Sequence, residues 1–410
     1  MKKILSLALA VLMLITCVSV FASCGNDADE IKGMSESPLP IPELKVDFEL
    51  PADFKIGFIC LHDESSTYDL NFINAILRYQ EALGLTNEQV IIKRDIAETE
   101  ACYEAARDLV GQGCNIIFAN SFGHEDYILQ AAKDFPEVQF CHATGTQAAG
   151  AGLDNFHNAF ASIYQGRYLA GIAAGLKLNE MIADGKITAD QAKMGYVGAW
   201  TYAEVISGLS SFYLGAKSVC PSVTMDVKFT GSWYDAPSEK NVAEALIADK
   251  CVLISQHADS MGAPGACEAA GVPNVSYNGS TYEACPETFI VSSAINWAPY
   301  YLFITKCYAE GTDIPANWCG GIAEGSVVLT GINLDVAAEG TVKAIEDAIA
   351  EFKAGTLNVF DTATFTVGGK TLTNEDNANI SDGYFHESEA ISAPSFDLRI
   401  DGVKFLNEIY

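Results

Sequence analysis

Positive charge is scarce in this chain: 24 Lys and Arg stand against 53 Asp and Glu, for a formal net charge of −29. So acidic a surface argues against nucleic acid as a partner and against adhesion to anionic lipid by charge. The 12 cysteines include no C-x-x-C pair, and the spacing that tetrahedral zinc sites favour is absent. No G-x-S-x-G turn occurs, so the nucleophile elbow of α/β-hydrolases is missing. Past the N-terminal stretch, no apolar run is long enough to span a bilayer. These absences leave an acidic α/β body with no visible catalytic motif.

The N-terminus carries Lys2 and Lys3, an apolar run from Ile4 to Phe21, and the small residues Ala22 and Ser23 before Cys24. This is the pattern of a secretory signal peptide. Phe21-Ala22-Ser23-Cys24 resembles a bacterial lipoprotein box, which implies lipidation of Cys24; a bare membrane-anchoring helix is the competing reading. Gly25-Asn26-Asp27-Ala28-Asp29 is an acidic leader rather than a basic stop-transfer flank, which favours the lipoprotein. Without the two signal lysines the net charge becomes −31. From Glu30 to Pro51 the residues are rich in Pro, Ser and acid, as in a tether. Setting aside Cys17 and Cys24 leaves ten cysteines. Several, such as Cys60, Cys114, Cys141 and Cys251, fall in apolar segments and read as buried thiols. The alternative for an exported chain is a few disulfides, such as Cys267 with Cys285 or Cys307 with Cys319.

The body begins with Ile56-Gly57-Phe58-Ile59-Cys60, an apolar run that reads as a strand covered on both faces. A polar loop follows, then a helix with Phe72, Ala75, Ile76, Tyr79 and Leu83 at helical spacing and Gly84 as its stop. The unit recurs: strands are expected at 90–93, 115–120 and 139–142, with helices at 99–112 and 123–135 between them. Such a βαβ series predicts a parallel sheet with right-handed crossovers. Polar loops at the carboxyl ends of these strands, around Asp63, Asn120, Phe122 and His142, converge where open α/β sheets bind ligands.

A second series is expected after Asn155, with strands at 194–199, 224–229, 251–255 and 275–277. Its first helix carries Gly166, Gly171 and Gly175, small residues that permit close packing. Its strand ends present Trp200, Glu204, Trp233, His257, Asp259 and Asn278. The fold class is therefore α/β, two lobes each built on a parallel sheet flanked by helices, with a cleft between. The chain divides as 1–23 signal peptide, 24–52 flexible tether, 53–155 first lobe, 156–292 second lobe and 361–410 C-terminal extension. Residues 293–325 return roughly to the first lobe and 326–360 to the second. A short hairpin with a Gly-Gly turn is expected at 365–372.

The loop Asp63…Tyr68-Asp69…Asn71, the helix Gly166-Arg167-Tyr168-Leu169-Ala170-Gly171, Gly198-Ala199 near Glu204, and Gly231-Ser232-Trp233-Tyr234-Asp235 resemble the basic membrane protein family in their order along the chain. These are lipoproteins that capture ligand for ABC importers, purine nucleoside receptors among them. The resemblance covers about residues 54–360 and implies a type I periplasmic-binding-protein fold that closes like a hinge. It implies that Tyr68 stacks on a purine and that Asp69 reads the base edge, a combination suited to a flat heterocycle. The chain also departs from the pattern. Tyr277-Asn278-Gly279 stands where nucleoside-binding members use an aspartate, and Ser292 to Trp297 where they use a lysine. Losing both weakens the case for ribose and makes a free base such as adenine a serious candidate.

Alternatives stand beside each of these. Trp200, Trp233 and Trp297 are equally readable as core, and Tyr68 as an ordinary helix contact. His142 and His257 could bind metal with Asp63 or Asp259, but hydrogen bonding in the cleft suits them better. Asp63 with Glu64 does not bracket a bond as glycosidase acids must. The expected function is an extracytoplasmic, lipid-anchored receptor that hands a purine base or nucleoside to an ABC permease, monomeric and without cofactor. A sensory binding protein signalling through a membrane receptor, or a nucleoside hydrolase lacking any visible acid or metal, are the other readings.

Overall fold

The structure, a computed structural model, describes residues 33–410. The expected signal peptide and Cys24 lie outside the described residues. Among the described residues no helix is long and apolar enough to cross a membrane.

The first sheet is built from β1 (Ile56–Ile59), β2 (Val90–Lys93), β3 (Ile116–Ala119), β4 (Gln139–Ala143) and β5 (Phe156–Ala161), with β11 (Asn317–Gly320) returning late in the chain. All neighbours are parallel, in the order β11-β5-β4-β3-β1-β2. Every residue of β1 is buried, as the apolar run requires of a strand covered on both faces. The Thr67–Leu83 helix that follows buries Phe72, Ile73, Ala75, Ile76 and Tyr79. Ser66 caps its start by accepting from the Asp69 N–H, and Gly84, at φ 63°, ends it in the left-handed conformation that glycine adopts without strain.

The second sheet contains β6 (Lys193–Gly198), β7 (Thr224–Phe229), β8 (Leu253–His257), β9 (Asn274–Tyr277), β10 (Phe289–Ile295) and β12 (Val327–Leu329). After the small antiparallel pair β13 (Ile380–Ser381) and β14 (Tyr384–Phe385), the chain adds β15 (Val403–Phe405) to its far edge. The order is β12-β10-β9-β8-β6-β7-β15, parallel except for β12. Two helices on this lobe, Ile163–Ala183 and Ala203–Val219, pack through glycine. A Cβ on Gly171 would lie 2.1 Å from the Phe212 carbonyl oxygen, and one on Gly215 2.0 Å from that of Tyr168, so the two backbones approach as no larger residue allows.

The structure redraws the expected boundaries in three places. Residues Phe156–Ala161, read as the start of the second lobe, form β5 and pair with β4 and β11 in the first sheet. Flanked by parallel partners on both sides, with its six residues all buried, the strand is an interior member of the first sheet. The stretch read as a flexible tether is laid on the body from Ser35 onward: Ser35 N donates to Ile332 O at 2.8 Å, Leu329 N donates to Leu39 O at 2.9 Å, and Leu39 is buried. The stretch read as a C-terminal extension supplies β15, in parallel register with Met225–Val227 of β7. The hairpin turn at Gly368-Gly369 is present, closed by Val367 and Lys370.

Candidate functional site

Each sheet places its first strand between its second and third, so that loops leaving adjacent strands diverge and open a crevice at the carboxyl ends. The two crevices face each other. Leu61 and His62 follow β1, Ser121 and Phe122 follow β3, and Thr144 follows β4; opposite them stand Glu204, Trp233, His257, Asp259 and Tyr277. Together with Tyr68 and Asp69 they line one cavity, which this closed arrangement narrows to about 20 Å³.

On the first lobe the arrangement centres on Asp69, which is fully buried. Its Oδ1 accepts from Asn120 Nδ2 at 2.7 Å and from the His62 N–H at 3.2 Å. Its Oδ2 faces His62 Nδ1 at 3.4 Å and accepts no hydrogen bond. Burial works to raise the carboxyl, but the hydrogen bonds from His62, Asn120 and Ser66 prevail and hold it below its ordinary value. The same contact with Asp69 raises the His62 imidazole. Asn120 also accepts from Leu61 N at 3.0 Å, and its carbonyl accepts from the Tyr68 hydroxyl at 2.6 Å. One asparagine thus ties together three cavity residues.

The second lobe presents acids that behave differently. Asp259 is pushed well above the carboxylate range, first by burial and then by Glu239, Asp69 and Glu204, with Asn278 opposing. The shift favours the protonated carboxyl, the form that can donate. His257 is lowered by burial, against the pull of Glu204, whose Oε1 lies 3.6 Å from Nε2. Neither ring nitrogen of His257 has a hydrogen-bond partner, nor does the Tyr277 hydroxyl. Beneath Tyr277 lies Arg167, fully buried, whose guanidinium donates to Ser255 Oγ at 2.7 Å and Ser276 O at 3.1 Å and sits 5.2 Å from the Tyr277 ring centroid. It provides positive charge under an acidic cleft.

The two lobes touch across the cleft. Thr67 N and Oγ1 donate to Asp259 O at 3.0 and 3.1 Å, and Asn71 Nδ2 donates to Asn278 Oδ1 at 3.0 Å. The rings of His62 and Tyr234 meet at 5.5 Å between centroids, and those of Phe122 and Tyr202 at 5.6 Å.

Of the thirteen residues singled out from sequence, Tyr68, Asp69, Phe122, Glu204, Trp233, His257 and Asp259 border the cavity. Six do not. Asp63 turns to accept from Ser65 N at 2.9 Å and shapes the loop. Asn120 lies behind Asp69. His142 is buried with Nε2 2.6 Å from Ser121 O, and burial lowers it to about 3. Trp200 stacks on Tyr202 at 5.9 Å, outside the lining. Asn278, at φ 65°, bridges the lobes through Asn71. Trp297 is core: it stacks on Phe72 at 4.4 Å and meets Phe118 edge-on at 5.6 Å. Leu61, His62, Ser121, Thr144 and Tyr277 were not singled out; the first four follow strands in loops already recognised as polar and Tyr277 ends β9, and only the three-dimensional direction of the side chain distinguishes them. The ten described cysteines are all free, in keeping with buried thiols rather than the proposed pairs. Among the described residues no group of three His, Cys, Asp or Glu could hold a metal ion.

Two α/β lobes with facing strand-end loops and a cavity between them are the architecture of a solute-binding protein. Residues 60–359 match the family described as Bmp, ABC transporter substrate-binding protein PnrA-like, and the chain belongs to that family. A purine-binding protein of Brucella abortus is 32% identical over 312 residues, covering 75% of this chain and 83% of the relative. A putative ABC transporter glucose-binding protein of Haloferax volcanii is 31% identical over 238 residues, 57% of each chain. Among solved structures, an ABC transporter solute-binding protein from Conexibacter woesei superposes with a TM-score of 0.60 at 20% identity, over 74% of this chain and 98% of that one; at that identity the likeness speaks for the fold. The family comprises extracytoplasmic proteins that bind small molecules and partner with ABC permeases, and it is not a family of enzymes.

Proposed function

We propose that the protein captures a purine base or nucleoside in the inter-lobe cavity and delivers it to an ABC importer, held to the outer face of the membrane by a lipid on Cys24. The observation that carries this reading is a set of four buried polar atoms without hydrogen-bond partners, Asp69 Oδ2, both ring nitrogens of His257 and the Tyr277 hydroxyl, all on residues of one cavity. Native interiors leave few such atoms unpaired. Here they combine acceptors with donors among the rings of Tyr68, Phe122 and Trp233, which suits a flat heterocycle carrying both N–H groups and ring nitrogens. A carboxylate at Asp69 would accept from a ring or exocyclic N–H, and a protonated Asp259 would donate to an unprotonated ring nitrogen. The relationship to a purine-binding protein supports the same class.

In this reading ligand favours the closed form because it touches both lobes, and closure forms the Thr67–Asp259 and Asn71–Asn278 bonds. The test is mass spectrometry of ligand extracted from the purified body, followed by calorimetry with adenine, adenosine, guanosine, inosine and glucose. Binding of any purine with glucose silent supports the reading. Binding of glucose alone overturns it.

A further inference from the structure

The hairpin of β13 and β14 lies beyond residue 359, where the family match ends. Its inward residues fix it to the body. Ile380 and Phe385 are buried opposite each other, and the Phe385 ring meets those of Phe360 and Phe396 at 6.4 and 4.9 Å between centroids. Phe385 N donates to Phe360 O at 3.0 Å, and Thr362 N donates to Gly383 O at 2.9 Å. Strand side chains alternate between faces, so Ser381, Tyr384 and His386 share the other face. Ser381 is opposite Tyr384 and therefore diagonal to His386. That diagonal is a hydrogen bond: Ser381 Oγ lies 2.7 Å from His386 Nε2, while His386 Nδ1 lies 2.7 Å from Glu389 Oε2. The Tyr384 ring packs on the imidazole at 4.0 Å between centroids. In the turn, Asp382 and Gly383 have φ of 52° and 87°, and their N–H groups donate to nothing among the described residues.

We infer that Ser381, His386 and Glu389 act as nucleophile, general base and orienting acid, and that this hairpin accepts an acyl group from a small, uncharged ester. The atoms match the roles. An acid that holds Nδ1–H leaves Nε2 free to take the proton of the hydroxyl beside it. Ser381 Oγ bonds to the acyl carbon as His386 Nε2 takes its proton; the ester oxygen leaves with that proton. Water then attacks the new ester with His386 as base, which releases the carboxylic acid and restores the hydroxyl. The N–H of Asp382, the residue after the nucleophile, is the backbone donor suited to the oxyanion. Ser381 is exposed, so an acyl group on an accessible ester can reach it. Asp361, paired with Tyr384, and Asp382 beside the serine disfavour an anionic acyl group. The Glu389 side chain is 65% exposed, so water screens its hold on the ring and the chemistry is expected to be slow.

The test incubates the full chain with p-nitrophenyl acetate, follows p-nitrophenolate release and locates the acetyl group by peptide mass spectrometry. A burst of about one equivalent with acetyl on Ser381 is expected, on the model of an accumulating acyl-enzyme. Ser381→Ala should abolish it. His386→Gln should slow it by about a hundredfold or more, the usual size of a general-base contribution. Glu389→Gln should slow it by about tenfold, less than the loss of a buried triad acid costs, with the amplitude kept. Denaturant melts show whether each variant keeps the fold, and the mapping on the unsubstituted chain decides even where one does not. No burst, acetyl found only on other residues, or a folded His386→Gln or Glu389→Gln protein reacting as fast as the unsubstituted one overturns the inference.

Discussion

Replacing Asp69 with Asn is the most direct probe of the cavity, because it changes one oxygen that the protein itself leaves unpaired. Asp69 is 0% exposed, and two donors converge on its Oδ1, the Asn120 side chain at 2.7 Å and the His62 N–H at 3.2 Å, while Oδ2 faces the His62 ring at 3.4 Å without a hydrogen bond. In Asp69→Asn the amide oxygen can still serve Asn120 and His62, which leaves an NH₂ group where Oδ2 now waits for a ligand donor. The variant therefore loses a charge-assisted hydrogen bond of about 1.5–3 kcal/mol and faces donor against donor. Converted to affinity, the loss is about ten- to a hundredfold for any purine that presents an N–H at that edge. Calorimetry on wild-type and variant protein reads the loss, with a denaturant melt to separate it from unfolding. An affinity unchanged within about twofold in a folded variant would refute the placement of the ligand against Asp69.

Three further outcomes are expected. Trp297→Ala should destabilise the fold by about 3–5 kcal/mol in denaturant melts, since it removes an indole stacked between buried rings; a loss below about 1 kcal/mol would return Trp297 to the candidate site. Glu387, pushed up to about 7 chiefly by burial against the pull of Ser207 and Ser388, binds its proton more tightly folded than unfolded. That contribution is full below the ordinary value of 4.5 and is lost as pH rises through about 7, so stability should fall by up to about 3 kcal/mol from pH 5 to pH 8, and Glu387→Gln should flatten the slope; parallel slopes in the two proteins would sink this account. Asp259, raised first by burial and then by Glu239, Asp69 and Glu204, follows the same sign: the ligand-free protein should become more closed as pH falls, read by small-angle scattering, with Asp259→Asn insensitive. A radius independent of pH in the wild type would contradict it.

Much of the architecture could be read from periodicity, because each lobe repeats an apolar strand, a polar loop and a helix with an identifiable stop. Ile56–Ile59 and the 67–83 helix with Gly84 are found where the pattern places them. Errors arose where partners are remote in sequence. Phe156–Ala161 reads as the start of the second lobe because its edge partner, Asn317–Gly320, arrives only after the whole second lobe. Asn-Trp-Cys-Gly is itself a weak strand sequence, so nothing local announced it. Trp297 resembled Trp233, each at the end of a strand, yet Phe72 and Phe118 lie under one and the cavity lies under the other. The site was legible as loops but not as side chains. Thr144 borders the cavity from a backbone at φ 68°, a conformation rare for threonine that spacing alone does not reveal.

The distribution of acids between the lobes supports the proposed coupling of closure to ligand capture. Asp69 comes from the first lobe, Glu204 and Asp259 from the second, and closing the cleft brings all three to one cavity. At an effective dielectric of about 20, two like charges about 6 Å apart repel by about 3 kcal/mol, so an empty closed cavity with three carboxylates would be driven open. The chain relieves part of this with His62 and Asn120 around Asp69, Asn278 at 3.4 Å from Asp259, and the buried Arg167 beneath Tyr277. Burial and the neighbouring acids favour the neutral form of Asp259, which eases the remaining repulsion. A heterocycle with an N–H for Asp69 and a bare ring nitrogen for Asp259 satisfies both groups in the same closed state, whereas a ligand offering only acceptors leaves Asp69 unpaired and the cleft strained. Under the proposed function, selectivity for the ligand would be tied to the free energy of closing around it, and the discriminating residues would be those whose charges oppose closure.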